Sequence, residues 1–319
     1  MTHTTTDRTG TLDDIAARDH VFSIIAMDQR NTLRRMFAAA GHDATDDDLR
    51  TAKADVARVL TPGASGLLSD PTYGVPAITK AGALAPGCGL LVAAEPAERR
   101  AYQGEPRTHR DPALNAQWVL DQGGDALKFF LQLRADRKNP GSPGEPDLVA
   151  EGLAVVQEII DDCRATGVPV VIENLIYPLP GEDLTGQARE DAIIEAARAL
   201  NEKDIDLLKL EYPGSPEGCR RLAAILTRPW AVLSAGVPFD QFTDIIAIAA
   251  DEGGASGFIA GRSVWREVVG LSGRHREEFL TTVARPRLDR LVEVASRRAR
   301  PWSSAGDQGS GPAMARTAI

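Results

Sequence analysis

Cysteine, histidine and long apolar segments are all scarce in this chain of 319 residues. Its three cysteines, Cys88, Cys163 and Cys219, are too widely spaced for a CxxC redox or zinc motif, and their odd number argues against a disulfide framework. No apolar run approaches the roughly 20 residues that span a bilayer, and the N-terminal MTHTTTDRTG lacks the apolar core of a signal peptide. We therefore expect a cytoplasmic protein.

Basic residues are outnumbered by acidic ones, which gives a net charge of -9. This balance disfavours general binding to nucleic acid or to an anionic membrane. An anionic substrate would need a local cluster of arginine and backbone N–H groups. No GxGxxG follows the first apolar run, so the dinucleotide-binding fingerprint is missing as well.

Short apolar runs alternate with segments that carry apolar residues at helical spacing, such as 148–165, 190–201, 216–226 and 240–252. The runs are continuous, as is typical of parallel strands covered on both faces. This alternation predicts a (β/α)₈ barrel, with an open doubly wound sheet as the alternative. The eight predicted strands are 22–27, 66–69, 89–94, 126–133, 170–175, 207–210, 230–237 and 256–260.

The barrel accounts for one catalytic domain over residues 11–302. The flanking segments 1–10 and 303–319 are poor in apolar residues, and we expect both to be disordered. Two connections after strands, 96–112 and 136–146, are long and rich in Pro, Gly and Arg. They are either mobile lids on the catalytic face or plain surface loops.

Functional side chains of such barrels lie at the carboxyl ends of the strands. Lys128, Glu173 and Lys209 fall in the fourth, fifth and sixth predicted strands. A lysine in an apolar strand either extends to water or is kept dry as a nucleophile. A neighbouring cation lowers the pKa of an amine, so the lysine pair favours the second interpretation. A structural layer of ion pairs is the alternative.

Small residues and an arginine follow the last two predicted strands, in the segments LSAGV (233–237) and AGRS (260–263). Backbone N–H groups at strand–helix junctions can hold a phosphate, and the phosphate sites of this fold often lie there. A guanidinium adds charged donors. The glycines could also serve only as turn residues. The candidate phosphate ligands are Ser234, Gly236, Gly261 and Arg262.

Metal-dependent chemistry is the competing mechanism, and it requires clustered histidine ligands. The chain has five histidines, none of them at a predicted strand end. We therefore expect a reaction that needs neither metal nor cofactor. The histidines are His3, His20, His42, His109 and His275.

Seven segments together resemble one enzyme family over roughly residues 15–300. It comprises the class I tagatose-1,6-bisphosphate aldolases and the related sulfofructosephosphate aldolases. The resemblance implies a (β/α)₈ barrel that uses a lysine Schiff base without metal. The segments are AMDQRNTLRRMF (26–37), DPTYGVPA (70–77), DALKFF (125–130), IEN (172–174), DLLKLEYP (206–213), LSAGVPFDQF (233–242) and GASGFIAGRSVW (254–265).

By motif match, Lys209 resembles the Schiff-base lysine, and Lys128 and Glu173 resemble the supporting acid–base residues. The SAG and GR segments resemble the phosphate site. Gln29 and Arg30 resemble contacts with the far, anionic end of the sugar. The further candidates for substrate binding are Asp28, Arg134 and Glu211.

The substrate itself is predicted from finer features. LKFFLQLRAD (127–136) and GRSVWREVVGL (261–271) resemble the sulfosugar branch, and an insertion usual in tagatose enzymes is missing after Lys209. One arginine with a glutamine suits a sulfonate monoanion, whereas a phosphate dianion attracts several cations. The expected substrate is 6-deoxy-6-sulfofructose 1-phosphate, giving dihydroxyacetone phosphate and sulfolactaldehyde.

Two alternatives remain. The DPTYGVPA segment resembles the tagatose branch, so tagatose 1,6-bisphosphate is the first of them. A non-catalytic regulator that binds a phosphosugar is more remote, because binding alone does not require a buried amine. The expected partners are a small phosphorylated sugar and further copies of the chain in a homo-oligomer, with no nucleic acid and no membrane.

Overall fold

Eight parallel strands close into a barrel in the computed structural model, which describes residues 10–137 and 144–305. Strand β1 completes the closure, since Ile24 lies opposite Gly66 on one side and Ile259 on the other. The barrel order is β1-β10-β9-β8-β7-β6-β3-β2, and β4 and β5 form a separate hairpin. The strands are β1 Phe22–Met27, β2 Gly66–Ser69, β3 Gly89–Ala93, β4 Arg100–Tyr102, β5 Glu105–Arg107, β6 Ala126–Leu131, β7 Val170–Asn174, β8 Leu207–Leu210, β9 Trp230–Leu233 and β10 Gly257–Ala260.

Helices cover the outside of the barrel and confirm the (β/α)₈ prediction. Every residue of the eight barrel strands is buried, which explains why these strands are continuous apolar runs. The helices are α1 Asn31–Ala39, α2 Asp46–Leu60, α3 Gly74–Ala81, α4 Ala116–Asp121, α5 Leu148–Thr166, α6 Gly186–Asn201, α7 Pro216–Ile225, α8 Phe239–Gly253, α9 Arg262–Trp265, α10 Gly273–Phe279 and α11 Arg285–Arg298.

The amino end of the barrel is filled by a short 3₁₀ helix, Leu12–Ile15, which Thr11 caps. Its Leu12 and Ile15 join the apolar residues of the barrel interior. The helix approaches β3 so closely that a Cβ on Gly89 would lie 2.0 Å from the carbonyl oxygen of Asp14. Glycine is therefore required at this contact, and polar side chains gather at the opposite, carboxyl end.

Some predicted boundaries differ from those observed. The segment 230–237 is a strand only to Leu233, because Ala235 and Gly236 adopt left-handed conformations with φ of 46° and 83°. The predicted loop 96–112 contains the β4–β5 hairpin. Residues 138–143 of the other predicted loop lie outside the described part of the chain, as do residues 1–9 and 306–319 of the expected disordered ends. No helix within the described ranges has the length and apolarity needed to cross a membrane.

Candidate active site

Lys128, Glu173 and Lys209 come from three consecutive barrel strands, β6, β7 and β8. Glu173 lies opposite Lys209 in the sheet register. Lys128 lies opposite Val171 and is therefore two residues deeper in the barrel than the other two. All three side chains are buried, with relative exposures of 1%, 8% and 4% in chain order.

The carboxylate of Glu173 joins the two lysines. Its Oε1 lies 2.9 Å from Lys209 Nζ, and its Oε2 lies 2.7 Å from Lys128 Nζ. Each oxygen thus has its own ammonium partner. Among the described residues, Lys209 forms no other ion pair. The arrangement places one proton-accepting group next to each of the two candidate amines.

Lys128 is surrounded by carboxylates. Besides Glu173, its Nζ lies 2.9 Å from Asp28 Oδ2 and 3.0 Å from Glu95 Oε1. Burial disfavours the charged form of Lys128, but Asp28, Glu173 and Glu95 outweigh this effect and raise its pKa above the usual range. Lys128 therefore remains an ammonium ion at neutral pH, which makes it a fixed cation and a poor nucleophile.

The pKa values of the carboxylates shift in the opposite direction, downwards. Burial tends to raise the pKa of Glu173, yet the charges of Lys128 and Lys209 outweigh it and lower that pKa below the ordinary value. Burial also opposes ionisation of Asp28, and Lys128 and Lys209 again lower its pKa. Both groups are carboxylates at neutral pH, so Glu173 is available as a proton acceptor.

Two cavities meet at Lys209. The one that we call the Arg99 cavity is lined by Asp28, Arg30, Glu95 and Arg99, among others. The one that we call the Ser234 cavity is lined by residues that include Glu211, Arg189, Ser234 and Gly261. Both share Gln29, Glu173, Leu175, Lys209 and Arg262. An elongated molecule could therefore extend to either side of the Lys209 amine.

The Ser234 cavity contains most of the predicted phosphate ligands. The backbone N–H of Gly261 donates to Ser234 Oγ at 3.4 Å, and Arg262 Nη2 donates to the carbonyl oxygen of Ala235 at 3.2 Å. Ala235 and Gly236 are consecutive left-handed residues, a backbone geometry that can turn successive N–H groups towards an anion. Gly236 itself packs behind the Arg262 guanidinium.

The sequence did not identify Arg189, which also lines the Ser234 cavity. It lies on α6 and contacts Oε1 of Glu211, whose Oε2 accepts a hydrogen bond from the N–H of Ile176 at 2.8 Å. Burial raises the pKa of Glu211. Glu211 is thus at the site, as predicted. Arg189 was missed because it lies in a helix, whereas the candidates were sought at the carboxyl ends of strands.

The Arg99 cavity is rich in guanidinium groups. Arg30, Arg35, Arg99 and Arg262 all line it. The guanidinium carbon of Arg99 lies 4.2 Å from the centroid of the Phe130 ring, a cation–π contact. The sequence predicted Arg30 here but missed Arg35 and Arg99, although Arg99 lies in the loop 96–112, for which a lid was one of two alternatives.

Glu95 is another residue to which the sequence gave no role, although it directly follows the third predicted strand. Its Oε1 accepts a hydrogen bond from Lys128 Nζ at 3.0 Å, and its Oε2 accepts one from the N–H of Phe130 at 3.2 Å. Arg30 Nη2 donates to its carbonyl oxygen at 2.9 Å. Glu95 therefore fixes Lys128 and Arg30 relative to each other.

Arg134, a predicted candidate for substrate binding, lines neither cavity. All five of its N–H donors are occupied. Nε and Nη2 donate to the Asp136 carboxylate, both at 2.8 Å, while Nη1 and Nη2 donate to Glu182 at 2.6 and 3.0 Å. Nη1 also donates to the Tyr177 carbonyl oxygen at 2.6 Å. The guanidinium ties together the loops that follow β6 and β7.

Replacing Arg134 with methionine is therefore expected to reduce stability and leave substrate affinity unchanged. The carboxylates left behind, Asp136 and Glu182, are partly exposed, so losing these charge-assisted hydrogen bonds should cost about 1.5–3 kcal/mol. Denaturant unfolding would measure the loss. KM for the substrate should stay within about twofold of the wild type, which is within the scatter of a surface effect. A KM raised about tenfold or more, with stability intact, would restore Arg134 to the site.

No three His, Cys, Asp or Glu side chains in the described ranges are arranged to hold a metal ion. The carboxylates around Lys128 are close together, but the ammonium group occupies the space between them. That the reaction needs no metal stays a prediction.

The open end of the eight-stranded barrel carries two buried lysines on one carboxylate, an arrangement that suits chemistry at an amine. The family model described as DeoC/LacD family aldolase matches residues 22–267. The chain belongs to this family, and the resemblance to class I aldolases is confirmed. It is an aldolase, a carbon–carbon lyase.

Curated relatives are similar along nearly the whole chain. The tagatose 1,6-diphosphate aldolase of Streptococcus agalactiae is 27% identical over 325 residues, covering 91% of this chain and 96% of the relative. Tagatose 1,6-diphosphate aldolase 2 of Streptococcus pyogenes is 28% identical over 322 residues, covering 89% and 94%. The match therefore spans the barrel and both cavities.

Solved structures share the fold at lower identity. An archaeal fructose 1,6-bisphosphate aldolase superposes with a TM-score of 0.60 at 17% identity, covering 90% of this chain and 100% of that one. A second archaeal fructose-1,6-bisphosphate aldolase, solved with its catalytic lysine bound to the carbinolamine intermediate, gives 0.58 at 19%, with the same coverage. These likenesses establish the barrel.

Proposed function

We propose that this aldolase cleaves tagatose 1,6-bisphosphate through a Schiff base on Lys209. One observation carries the proposal: Lys209 lies where two cavities meet, 2.9 Å from Glu173, while Lys128 is held as a cation on the other oxygen of the same carboxylate. An amine at this position can reach a ketone in the middle of a substrate whose two ends occupy the two cavities.

The first chemical step joins Lys209 to the substrate. Glu173 accepts a proton from Lys209 Nζ, and the amine attacks the C2 ketone to give a carbinolamine. Returning a proton to the carbinolamine hydroxyl releases water and leaves an iminium ion. Lys128 stays protonated throughout, since Asp28, Glu173 and Glu95 hold its charge. Its role is to stabilise the Glu173 carboxylate and negative charge that develops on substrate oxygens.

Carbon–carbon cleavage follows from the iminium ion. A base, which we assign to Glu173, removes the proton from the C4 hydroxyl. The electron pair of the C3–C4 bond moves into the iminium group, which gives an enamine and releases glyceraldehyde 3-phosphate. Protonation at C3 and hydrolysis of the new iminium then free dihydroxyacetone phosphate and Lys209.

The cavities favour a bisphosphate. We assign the 1-phosphate to the Ser234 cavity, with Ser234, Gly261 and Arg262 as its ligands, and the 6-phosphate to the Arg99 cavity. Arg35 and Arg99 join Arg30 there, and several guanidinium groups suit a dianion better than a sulfonate monoanion. This replaces the sulfosugar preference, which relied in part on Arg134, now assigned to a structural ion pair. The names of the relatives favour the same substrate.

Comparison of two substrates on one preparation tests the proposal. We expect kcat/KM for tagatose 1,6-bisphosphate to exceed that for 6-deoxy-6-sulfofructose 1-phosphate by about tenfold or more, a difference of about 1.4 kcal/mol. Coupled detection of dihydroxyacetone phosphate measures both reactions. Equal values, or a higher value for the sulfosugar, would overturn the substrate assignment.

Two variants distinguish how much each end of the substrate contributes to kcat/KM. Arg99→Met should reduce kcat/KM for the bisphosphate by about 10- to 150-fold, the value of one charge-assisted contact, and affect the sulfosugar less. Arg262→Met should lower kcat/KM for both substrates by the same factor, because both carry the 1-phosphate. Arg274→Met is the matched control, since Arg274 is exposed on α10 and lines neither cavity.

A further inference from the structure

A third buried lysine lies beneath the site, outside both cavities. Lys53 comes from α2, and its side chain is fully buried against Asp70, whose Oδ2 lies 2.7 Å from Lys53 Nζ. The same Nζ donates to the carbonyl oxygens of Met27 at 2.5 Å and Gln29 at 2.9 Å. The three N–H donors of an ammonium group are thus matched by three acceptors.

The acceptors of Lys53 flank a residue of the site. Met27 and Gln29 are the neighbours of Asp28, whose carboxylate lies 2.9 Å from Lys128 Nζ. β1 ends at Met27, so the carbonyl groups that follow are beyond the regular strand. Lys53 binds the backbone on both sides of Asp28 and thereby fixes the direction of its side chain.

The side chain of Gln29 depends on the same anchor. It lines both cavities, and its Oε1 is buried without a hydrogen-bond partner among the described residues. A buried carbonyl oxygen without a partner is costly, so the position of this side chain has to be imposed by its surroundings. Its position follows from its backbone, which Lys53 holds through the Gln29 carbonyl oxygen.

Asp70 gives a role to the DPTYG segment, which the proposed chemistry leaves without one. It directly follows β2, whose Ser69 lies opposite Met27 in the register. Asp70 Oδ1 accepts hydrogen bonds from the N–H groups of Thr72 at 3.0 Å and Tyr73 at 2.8 Å at the start of α3. Asp70 is therefore fixed by α3 and in turn fixes Lys53.

We infer that Lys53 and Asp70 are a positioning pair for the aldol reaction, which sets Asp28 and Gln29 against Lys128 and the substrate. This inference rests on the proposed function for the roles of Asp28 and Gln29. A buried ion pair adds little net stability compared with apolar residues of similar volume, so geometry is what this pair contributes. A misplacement of about 1 Å at a reaction centre can cost on the order of 100-fold in rate.

The variant that tests the pair is the double substitution Lys53→Met with Asp70→Asn, which leaves no unpaired charge and keeps an oxygen to cap α3. We expect kcat/KM to fall about 10- to 100-fold while thermal unfolding remains cooperative. The matched control is Arg276→Met with Asp55→Asn. Asp55 is also on α2, and its carboxylate lies 3.2 Å from the buried Arg276 guanidinium, away from the site. Activity of the control should stay within about twofold.

A double-mutant cycle with Gln29→Ala separates positioning from a purely structural role. If Lys53 acts through Gln29, adding Gln29→Ala to the pair variant costs little further activity, because the contact is already lost. Losses that multiply both in this cycle and in a parallel cycle with Asp28→Asn would overturn the inference, as would a pair variant with unchanged activity. If the pair variant does not fold, Asp70→Asn alone gives the same two outcomes with a smaller loss.

The inference and the proposed function fail in different ways. Borohydride trapping of wild-type protein with dihydroxyacetone phosphate reports on Lys209 and does not involve Lys53. Absence of a trapped adduct in the wild type would remove the Schiff-base mechanism. If the wild type forms the trapped adduct but the activity losses in the double-mutant cycles multiply, only the positioning role of Lys53 and Asp70 is contradicted.

Discussion

Replacing Lys209 with methionine is expected to lower kcat for aldol cleavage by at least about 10⁴-fold, because no amine remains to form the iminium ion. Methionine matches the length of the lysine chain, so the apolar contacts of β8 should survive. Coupled detection of dihydroxyacetone phosphate measures the rate. Lys80→Met is the control, since Lys80 is exposed on α3, and its activity should equal that of the wild type.

Chemical rescue can distinguish a lost amine from a damaged fold. In Lys209→Cys, alkylation with 2-bromoethylamine would rebuild a side chain of nearly lysine length that ends in an amine. The native thiols of Cys88, Cys163 and Cys219 are all buried, and burial raises the pKa of each to about 12, so the reagent should spare them. Activity should return on alkylation. A folded, alkylated protein without activity would contradict the role of Lys209.

Glu173→Gln has the second largest expected effect, a fall in kcat of about 10²- to 10⁴-fold with KM changed only a few-fold. The amide keeps the volume of the side chain but cannot accept the proton of Lys209 or of the C4 hydroxyl. Glu95→Gln is the matched control. Glu95 also contacts Lys128, but no contact to Lys209 is seen among the described residues, so its loss should be much smaller. Equal losses in the two variants would contradict the assignment of the base.

The pKa shifts of Glu173 and Lys128 also predict how activity and stability depend on pH. The pKa of Glu173 is lowered from 4.5, so its carboxylate persists below that pH, and the acid limb of kcat/KM that it causes should lie below about pH 4.5. Its contribution to stability is present above the unfolded value and is lost as pH falls through the folded pKa. Lys128 has a raised pKa, so its contribution is complete below 10.5 and is lost only at higher pH. A Glu173-dependent acid limb near neutrality would contradict these shifts.

The barrel could be predicted from the sequence because buried parallel strands have a simple signature. The continuous apolar runs at 22–27, 66–69 and 207–210 coincide with the observed strands. The run at 230–237 was too long, since apolar composition alone does not reveal that Ala235 and Gly236 leave the sheet with positive φ. Strand ends depend on backbone conformation, which small residues only hint at.

The centre of the site was also accessible from the sequence. Lys128, Glu173 and Lys209 lie within strands, where alternation and register determine which side chains share the interior. Arg134 follows the last residue of β6 by three positions and is no longer governed by the pleat, so its position at a strand end did not indicate its direction.

The arginines of the cavities could not be assigned in the same way. Arg99 reaches the site from the loop that leads into the β4–β5 hairpin, and Arg189 reaches it from α6. Both positions depend on how those elements pack on the barrel, and no local pattern records this. The number of cations at the far end therefore became known only from the structure, and with it the preference for a dianion.

Reductive trapping tests the central claim most directly. Wild-type protein incubated with dihydroxyacetone phosphate and borohydride should gain a stable adduct, and peptide mass spectrometry should place it on Lys209. Lys209→Met should remain unlabelled under the same conditions, whereas Lys80→Met should be labelled like the wild type. An adduct on Lys128, or no adduct on any lysine while the enzyme cleaves its substrate, would contradict a Schiff base at Lys209.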